Sequence, residues 1–139
     1  MIVSRPMTRI LRLLAPIAAL PLLGAAQPVP PRALAGVQPG LWALSRSATG
    51  HDPRRVCIGE MIDLVGMARP LRNCRRTIVQ DRPGRLVARL DCAGSDFVRS
   101  EVTVTTPRSL KMAAQGIHGG LPFETKLYAR RLGACPGRR

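Results

Sequence analysis

The sequence predicts a mainly β protein: an antiparallel meander or partly closed barrel of about six or seven short strands, with one short helix and two disulfides. Three observations favour this class. Apolar and polar residues alternate with a period of two through most of the chain after Cys74, as in half-buried strands. Turn residues separate these runs at short intervals, and short connections favour antiparallel neighbours. The 13 glycines and 13 prolines argue against an all-helical bundle.

The first residues have the pattern of a secretory signal peptide. Three arginines precede an apolar run over 13–23, and small residues stand at 24–26. We therefore predict a signal peptide over 1–26, cleaved between Ala26 and Gln27. The apolar run is shorter than the ~20 residues that span a bilayer, so we expect no stable transmembrane segment after processing.

The mature chain is predicted to hold one domain. Residues 27–36 are rich in proline, and we expect a flexible lead-in there. Residues 37–135 are expected to form a single disulfide-stapled, β-rich domain, followed by a tail over 136–139. Either Met1 or Met7 can be the start, because two arginines still follow Met7.

The first elements of the domain are two strands and a helix. A strand over 40–46 is entered through a Pro-Gly pair, and a weaker strand spans 54–58. From Ile58 to Ala68 the apolar residues follow the i, i+3, i+4, i+7 spacing of one helical face. A glycine and a proline limit this predicted helix to two or three turns.

The strands after Cys74 each present an apolar face and a polar face. Turns are predicted at 82–84, 93–95, 106–107 and 116–120. We expect the apolar residues to face the core and an arginine-rich set to face solvent. The predicted core set is Leu86, Ala88, Leu90, Cys92, Val98, Val102, Val104, Leu110, Met112, Ala114, Phe123, Leu127 and Ala129.

The four cysteines predict two disulfides, because an even number in a short exported chain is typical of a disulfide framework. The chain has no Cys-x-x-Cys and no close cysteine pairs, which argues against a redox motif, covalent haem and a Cys₄ zinc site. We therefore expect no metal and no cofactor. The cysteines are Cys57, Cys74, Cys92 and Cys135.

The direction of the strands favours one of the three pairings. Cys74 and Cys92 flank a hairpin and face each other, which leaves Cys57 to pair with Cys135. In an alternating meander, Cys92 and Cys135 fall at opposite strand ends, too far apart for a disulfide. Pairing of Cys57 with Cys74, and of Cys92 with Cys135, stays open as the main alternative if the final segment bends back.

The formal net charge of +14 comes from 20 arginines and 2 lysines against 8 acidic residues. Basic strand faces attract anionic lipid or polymer in a cell envelope, and solvated faces are the alternative interpretation. We expect no nucleic acid partner, because 4 aromatic residues supply few stacking platforms. Other partners are not indicated. The candidate anionic-surface contacts are Arg75, Arg76, Arg85, Arg89 and Arg130.

The sequence shows no catalytic constellation, and we predict that the protein is not an enzyme. The stretch Gly116-Ile-His118-Gly-Gly120 is similar to an esterase oxyanion loop, but the partner motif Gly-x-Ser-x-Gly is missing. His51 and Asp52 form a possible acid–base pair without a nearby nucleophile. The alternative hypothesis is a small periplasmic hydrolase or isomerase that uses His51 or His118.

An ordered set of residues resembles a known family of small exported Gram-negative proteins, the domain of unknown function 3617 family. The set is Gly40-x-Trp42, Cys57, Cys74, Gly84, Cys92 and Arg131-Leu-Gly133-Ala-Cys135. The resemblance covers roughly 37–135 and implies a periplasmic or envelope location, but no activity or ligand. With the signal peptide it predicts a periplasmic or secreted protein that serves as a non-enzymatic binding or structural module of the envelope.

Overall fold

The described part of the chain is an antiparallel β structure, which confirms the predicted class. The computed structural model describes residues 29–69 and 71–137, and in them two short 3-10 turns, Arg32–Leu34 and Met61–Gly66, accompany seven strands. The strands are β1 (Gly40–Ser45), β2 (Arg54–Ile58), β3 (Arg75–Arg82), β4 (Arg85–Asp91), β5 (Phe97–Thr106), β6 (Ser109–His118) and β7 (Leu121–Gly133).

One sheet contains these strands in the order β2-β1-β7-β6-β5-β4-β3, and each neighbouring pair is antiparallel. The predicted meander is the run from β3 to β7. β1 pairs with β7, which joins the start of the domain to its end. No ladder links β2 to β3 within the described ranges, so the sheet is open and has these two strands as edges.

The core lies on one face of the sheet, which we call the inner face. Its side chains occupy alternate positions along β4, β5 and β6 as predicted, and Leu86 and Ala88 on β4 are 0% exposed. Ser100 on β5 is a buried polar exception, and its hydroxyl donates a hydrogen bond to the Val65 carbonyl at 2.6 Å. The buried inner-face residues are Trp42, Leu44, Ile58, Leu86, Ala88, Leu90, Val98, Val102, Leu110, Met112, Ala114, Leu127 and Ala129.

The segment between β2 and β3 corrects the predicted helix over 58–68. It forms the second 3-10 turn, in which three residues per turn align Met61 and Leu64, and both are buried. Glycines at 59 and 66 leave too few residues between them for an α-helix of two or three turns. The segment instead crosses the inner face and packs against β5.

The predicted flexible lead-in over 27–36 is wrong for its later part. Ala33 and Leu34 of the first 3-10 turn are buried in the core. The Asp81 carboxylate on β3 accepts the N–H of Arg32 at 2.9 Å and the N–H of Ala33 at 2.8 Å. These N–H groups have no partner inside a helical turn, so Asp81 fixes the segment to the sheet edge.

The predicted turn over 116–120 is shorter than expected. Gly116 and His118 belong to β6, and the turn consists of Gly119 and Gly120, both with positive φ. Gly116 serves a different purpose, because a Cβ there would overlap the Phe97 carbonyl of β5. The glycine allows the two strand backbones to approach at this point.

The favoured disulfide pairing is confirmed. Cys74 and Cys92 close the β3–β4 hairpin with a Cα–Cα distance of 3.9 Å. Cys57 on β2 is bonded to Cys135 just after β7, with a Cα–Cα distance of 5.5 Å. β1 lies between β2 and β7, so this bridge ties together the three strands at that edge of the sheet.

Residues 1–28, 70, 138 and 139 lie outside the described residues. The predicted signal peptide and its cleavage between Ala26 and Gln27 fall there and stay predictions. In the ranges that the structure describes, no helix is long and apolar enough to cross a membrane.

Candidate functional site

The face opposite the core, which we call the outer face, is strongly basic. Strand register places nine basic and three acidic side chains on it, which leaves a formal net charge of about +6 on this face. The basic residues are Arg55, Arg75, Arg82, Arg85, Arg89, Arg99, Lys111, Lys126 and Arg130, and the acidic residues are Asp91, Glu101 and Glu124.

On β4, two outer-face arginines have carboxylate partners. Arg85 Nε lies 2.9 Å from Glu101 Oε1, and Arg89 Nε lies 2.7 Å from Asp91 Oδ1. The Arg89 guanidinium also stacks over the Phe97 ring, 4.3 Å from its centroid. These contacts order the two arginines and reduce the positive potential around them.

On β6 and β7, three cations surround the only tyrosine of the chain. Lys111 lies opposite Tyr128, while Lys126 and Arg130 lie two residues to either side of it on the same face. We call Lys111, Lys126 and Arg130 the β6–β7 cation cluster. None of them forms an ion pair with a carboxylate of the described residues. Lys111, Tyr128 and Arg130 line a depression of about 430 Å³ beside the β1–β2 loop.

The five arginines predicted to contact anionic surfaces do not form one group. Arg85 and Arg89 lie on the outer face in ion pairs. Arg75 and Arg130 lie on the same face, and neither has a carboxylate partner in the described chain. Arg76 is a correction: it lies opposite Leu90 and so on the inner side of β3, where its Nη1 is 3.5 Å from a carboxylate oxygen of the second 3-10 turn.

Sequence reasoning omitted the two lysines from the predicted contacts. Lys111 lies between Leu110 and Met112, which are buried in the core, and Lys126 precedes the buried Leu127. This alternation places both lysines on the outer face, so the sequence was sufficient to predict their side of the sheet. Lys126 lies two residues from Tyr128 along one strand, whereas the position of Lys111 opposite Tyr128 depends on the β6–β7 register, which the sequence did not specify.

At one end of the inner face, a cleft of about 560 Å³, here called the inner cleft, combines apolar and charged side chains. Its apolar lining consists of Leu44 on β1, Leu127 on β7, and Met67 and Ala68 after the second 3-10 turn. Its polar lining consists of Arg46, Ser47, His51, Asp52 and Arg54.

The polar lining of the inner cleft comes from the β1–β2 loop and its flanks. The buried Ser45 hydroxyl donates to the His51 carbonyl at 2.5 Å and accepts the Ser47 N–H at 3.0 Å, which holds the loop in shape. Asp52 has a φ of 47°, in the left-handed region that aspartate tolerates. The predicted pair of His51 and Asp52 both reach the cleft, but no hydrogen bond joins their side chains.

His118 has a partner that the sequence analysis did not identify. Its Nδ1 lies 3.0 Å from Asp96 Oδ2, and the other carboxylate oxygen accepts the Gly119 N–H at 2.9 Å. Asp96 therefore connects the β4–β5 loop to the β6–β7 turn. The pair lines neither the inner cleft nor the depression beside Tyr128. The geometry thus supports a structural role for this contact.

Nothing in the described ranges groups three or more histidine, cysteine or acidic side chains as metal ligands. In comparisons with known proteins, no family model, no curated protein and no solved structure matches the chain. The resemblance to the domain of unknown function 3617 family accordingly stays a prediction.

Proposed function

We propose that the protein is an exported, non-enzymatic envelope module that attaches to an anionic lipid or polymer surface through the outer face of its sheet. The observation that carries the proposal is the β6–β7 cation cluster. Three cations without carboxylate partners among the described residues surround Tyr128, and two of them, Lys111 and Arg130, line a depression large enough for a headgroup.

Two further features support an exported protein. Disulfides persist in oxidising compartments, and all four cysteines are paired. The N-terminal pattern of arginines, apolar run and small residues is typical of a secretory signal peptide. Both features suit a protein that meets anionic envelope components.

The expected attraction is additive and sensitive to salt. Each basic residue near an anionic bilayer contributes ~1 kcal/mol, so the cluster and its outer-face neighbours together give measurable adsorption. Screening acts over ~8 Å at physiological ionic strength, so this adsorption should weaken sharply as salt is added. Binding of this kind needs no catalytic group.

Co-sedimentation of the oxidised protein with phosphatidylglycerol vesicles tests the proposal. We expect Lys111→Glu/Arg130→Glu to raise the half-saturating lipid concentration by about tenfold or more. Arg32→Glu/Arg72→Glu is the matched control with the same change in net charge, placed at exposed positions outside β6 and β7.

The control should lose clearly less binding than the cluster variant. Equal losses would mean that net charge alone governs adsorption, which contradicts a localised site. Absence of binding by the wild type at low salt would contradict the whole proposal. Vesicles of phosphatidylcholine alone should bind neither protein.

The second candidate function is a small hydrolase or isomerase that uses His118. The specific observation in its favour is the 3.0 Å contact with Asp96, because a carboxylate can orient a histidine for proton transfer. Hydrolysis of a p-nitrophenyl acyl ester by the wild type, abolished in His118→Asn and retained in His51→Asn, would support this candidate over the first.

A further inference from the structure

The inner cleft differs from the outer face in its chemistry. Its floor consists of buried or half-buried apolar side chains that continue the core: Leu44, Leu127, Met67 and Ala68. Charged side chains surround its opening. A volume of about 560 Å³ is within the ~300–1,000 Å³ typical of small-molecule sites, which combine an apolar lining with a few polar groups.

Two guanidiniums are available at the rim of this cleft. Arg54 on β2 lies opposite Leu44 of β1. Arg46 follows Leu44 by two residues, at the start of the β1–β2 loop, and lines the same cleft. Both side chains are exposed, and neither forms a hydrogen bond or an ion pair with the described part of the chain. They are therefore free to bind an anion.

The remaining charge at the rim limits which anion fits. Asp52 lines the same opening, so two guanidiniums and one carboxylate leave a formal charge of about +1. The rim thus complements one negative charge, while the floor complements a hydrocarbon segment. A ligand that satisfies both regions must be amphiphilic.

We propose that the inner cleft binds the end of a single acyl chain that carries a monoanionic headgroup. Arg46 and Arg54 hold the headgroup by charge-assisted hydrogen bonds, and the chain lies against Leu44, Met67 and Leu127. The proposal does not rest on the proposed attachment to envelope surfaces, because it concerns a different face of the sheet and different residues.

The only tryptophan of the chain is a natural reporter for this site. Trp42 lies on the inner face of β1, one inner-face position from Leu44, and is 0% exposed. Consecutive inner-face positions on a strand are ~6.6 Å apart, so a bromine atom on a bound chain comes within range of contact quenching. We therefore expect ω-bromoundecanoate, at monomeric concentrations, to quench Trp42 fluorescence in a saturable manner.

Neighbouring arginines on β2 supply a matched pair of variants. Arg54 faces the cleft, while Arg55 faces the opposite side of the sheet, and both are exposed. Each charge-assisted hydrogen bond contributes about tenfold or more in affinity, so Arg54→Gln should raise the Kd by at least ~tenfold, and Arg46→Gln/Arg54→Gln should raise it further. Arg55→Gln should keep the wild-type Kd within ~twofold. Thermal melting checks that all variants fold.

Three results would overturn the proposal. These are the absence of saturable quenching, equal affinity for the uncharged ω-bromoundecanol, and an Arg55→Gln effect as large as that of Arg54→Gln. The outer-face variant Lys111→Glu/Arg130→Glu should retain quenching with an unchanged Kd. Failure of vesicle attachment and failure of this cleft proposal are therefore distinguishable, because they are measured with different variants and different probes.

Discussion

Arg85 and Leu86 are neighbours on β4 and lie on opposite faces of the sheet. Leu86 is 0% exposed in the core, while the Arg85 side chain is 52% exposed beside Glu101. The same contrast recurs on every strand of the meander after β3. The inner face is apolar and nearly continuous, whereas the outer face carries a formal net charge of about +6.

This difference separates two properties of the protein. Burial on the inner face provides the hydrophobic stabilisation, and charges on the outer face contribute little because water screens them. Outer-face residues can thus change surface chemistry with little effect on folding. Departures from this division include Ser100, which is polar on the inner face, Arg76, which lies on the inner side of β3, and Val87, which is 1% exposed on the outer face.

The largest expected effect runs against the rule that the inner face supplies most of the stability. Here a disulfide on the outer side is predicted to stabilise the fold more than a disulfide packed against the core. The exposed Cys57–Cys135 bridge spans 78 positions, and the core-packed Cys74–Cys92 bridge spans 18. Chain entropy predicts losses of about 4.5 and about 3 kcal/mol on removal of the respective bridge. Urea unfolding of the two double Cys→Ser variants measures both. A larger loss for Cys74–Cys92 would mean that core packing dominates.

The next effect compares an inner-face and an outer-face residue of the same strand, β4. Leu86→Ala leaves a cavity in the core, and we expect a loss of about 2–5 kcal/mol in the free energy of unfolding. Arg85→Ala removes only a surface ion pair and should cost about 0–1 kcal/mol. Chemical denaturation of both variants is the measurement. Similar losses in the free energy of unfolding would show that outer-face ion pairs stabilise the protein as much as core side chains do.

A smaller effect concerns the polar exception on the inner face. Ser100→Ala leaves the Val65 carbonyl without its donor in a buried region, and we expect a loss of about 1–3 kcal/mol. Thr103→Ala, on the exposed outer face of β5, serves as the control and should cost clearly less. If the Ser100 variant were neutral in denaturant unfolding, the link between the sheet and the crossing segment would be dispensable.

The smallest expected loss of stability concerns the contact between the β4–β5 loop and the β6–β7 turn. Asp96→Ala removes the contacts to His118 and to the Gly119 N–H, with an expected loss of about 0.5–1.5 kcal/mol. Asp63→Ala is the control, because that carboxylate is 55% exposed and makes one 3.5 Å contact. Thermal unfolding compares the two. Equal melting temperatures would contradict a structural role for Asp96.

Much of the local structure was predictable because it depends on neighbouring residues. The strand over 54–58 has the predicted bounds, the inner-face residues of β4 to β6 match the predicted set, and the hairpin bridge Cys74–Cys92 follows from strand direction. The helix over 58–68 was wrong because a helical apolar spacing also suits a 3-10 turn that crosses a sheet.

The candidate sites were less predictable than the strands. His51 and Arg54 reach a common cleft only because the β1–β2 hairpin and the second 3-10 turn meet there. Asp96 comes to His118 across 22 positions, through two loops at the same end of the sheet. Ion pairs likewise depend on tertiary structure: strand alternation alone places Arg75 and Arg76 on opposite faces, but it does not reveal the contact of Arg76 with Asp63.

The sequence by itself determined which residues alternate, where the chain turns, and that Cys74 and Cys92 face each other, because these depend on contacts within a hairpin. Only the tertiary structure decided that β1 pairs with β7, that Ala33 and Leu34 join the core, and that the arginines at the two ends of the β1–β2 loop open onto an apolar cleft. These features require pairing between segments far apart in the chain, and periodicity within one segment carries no information about its distant partner.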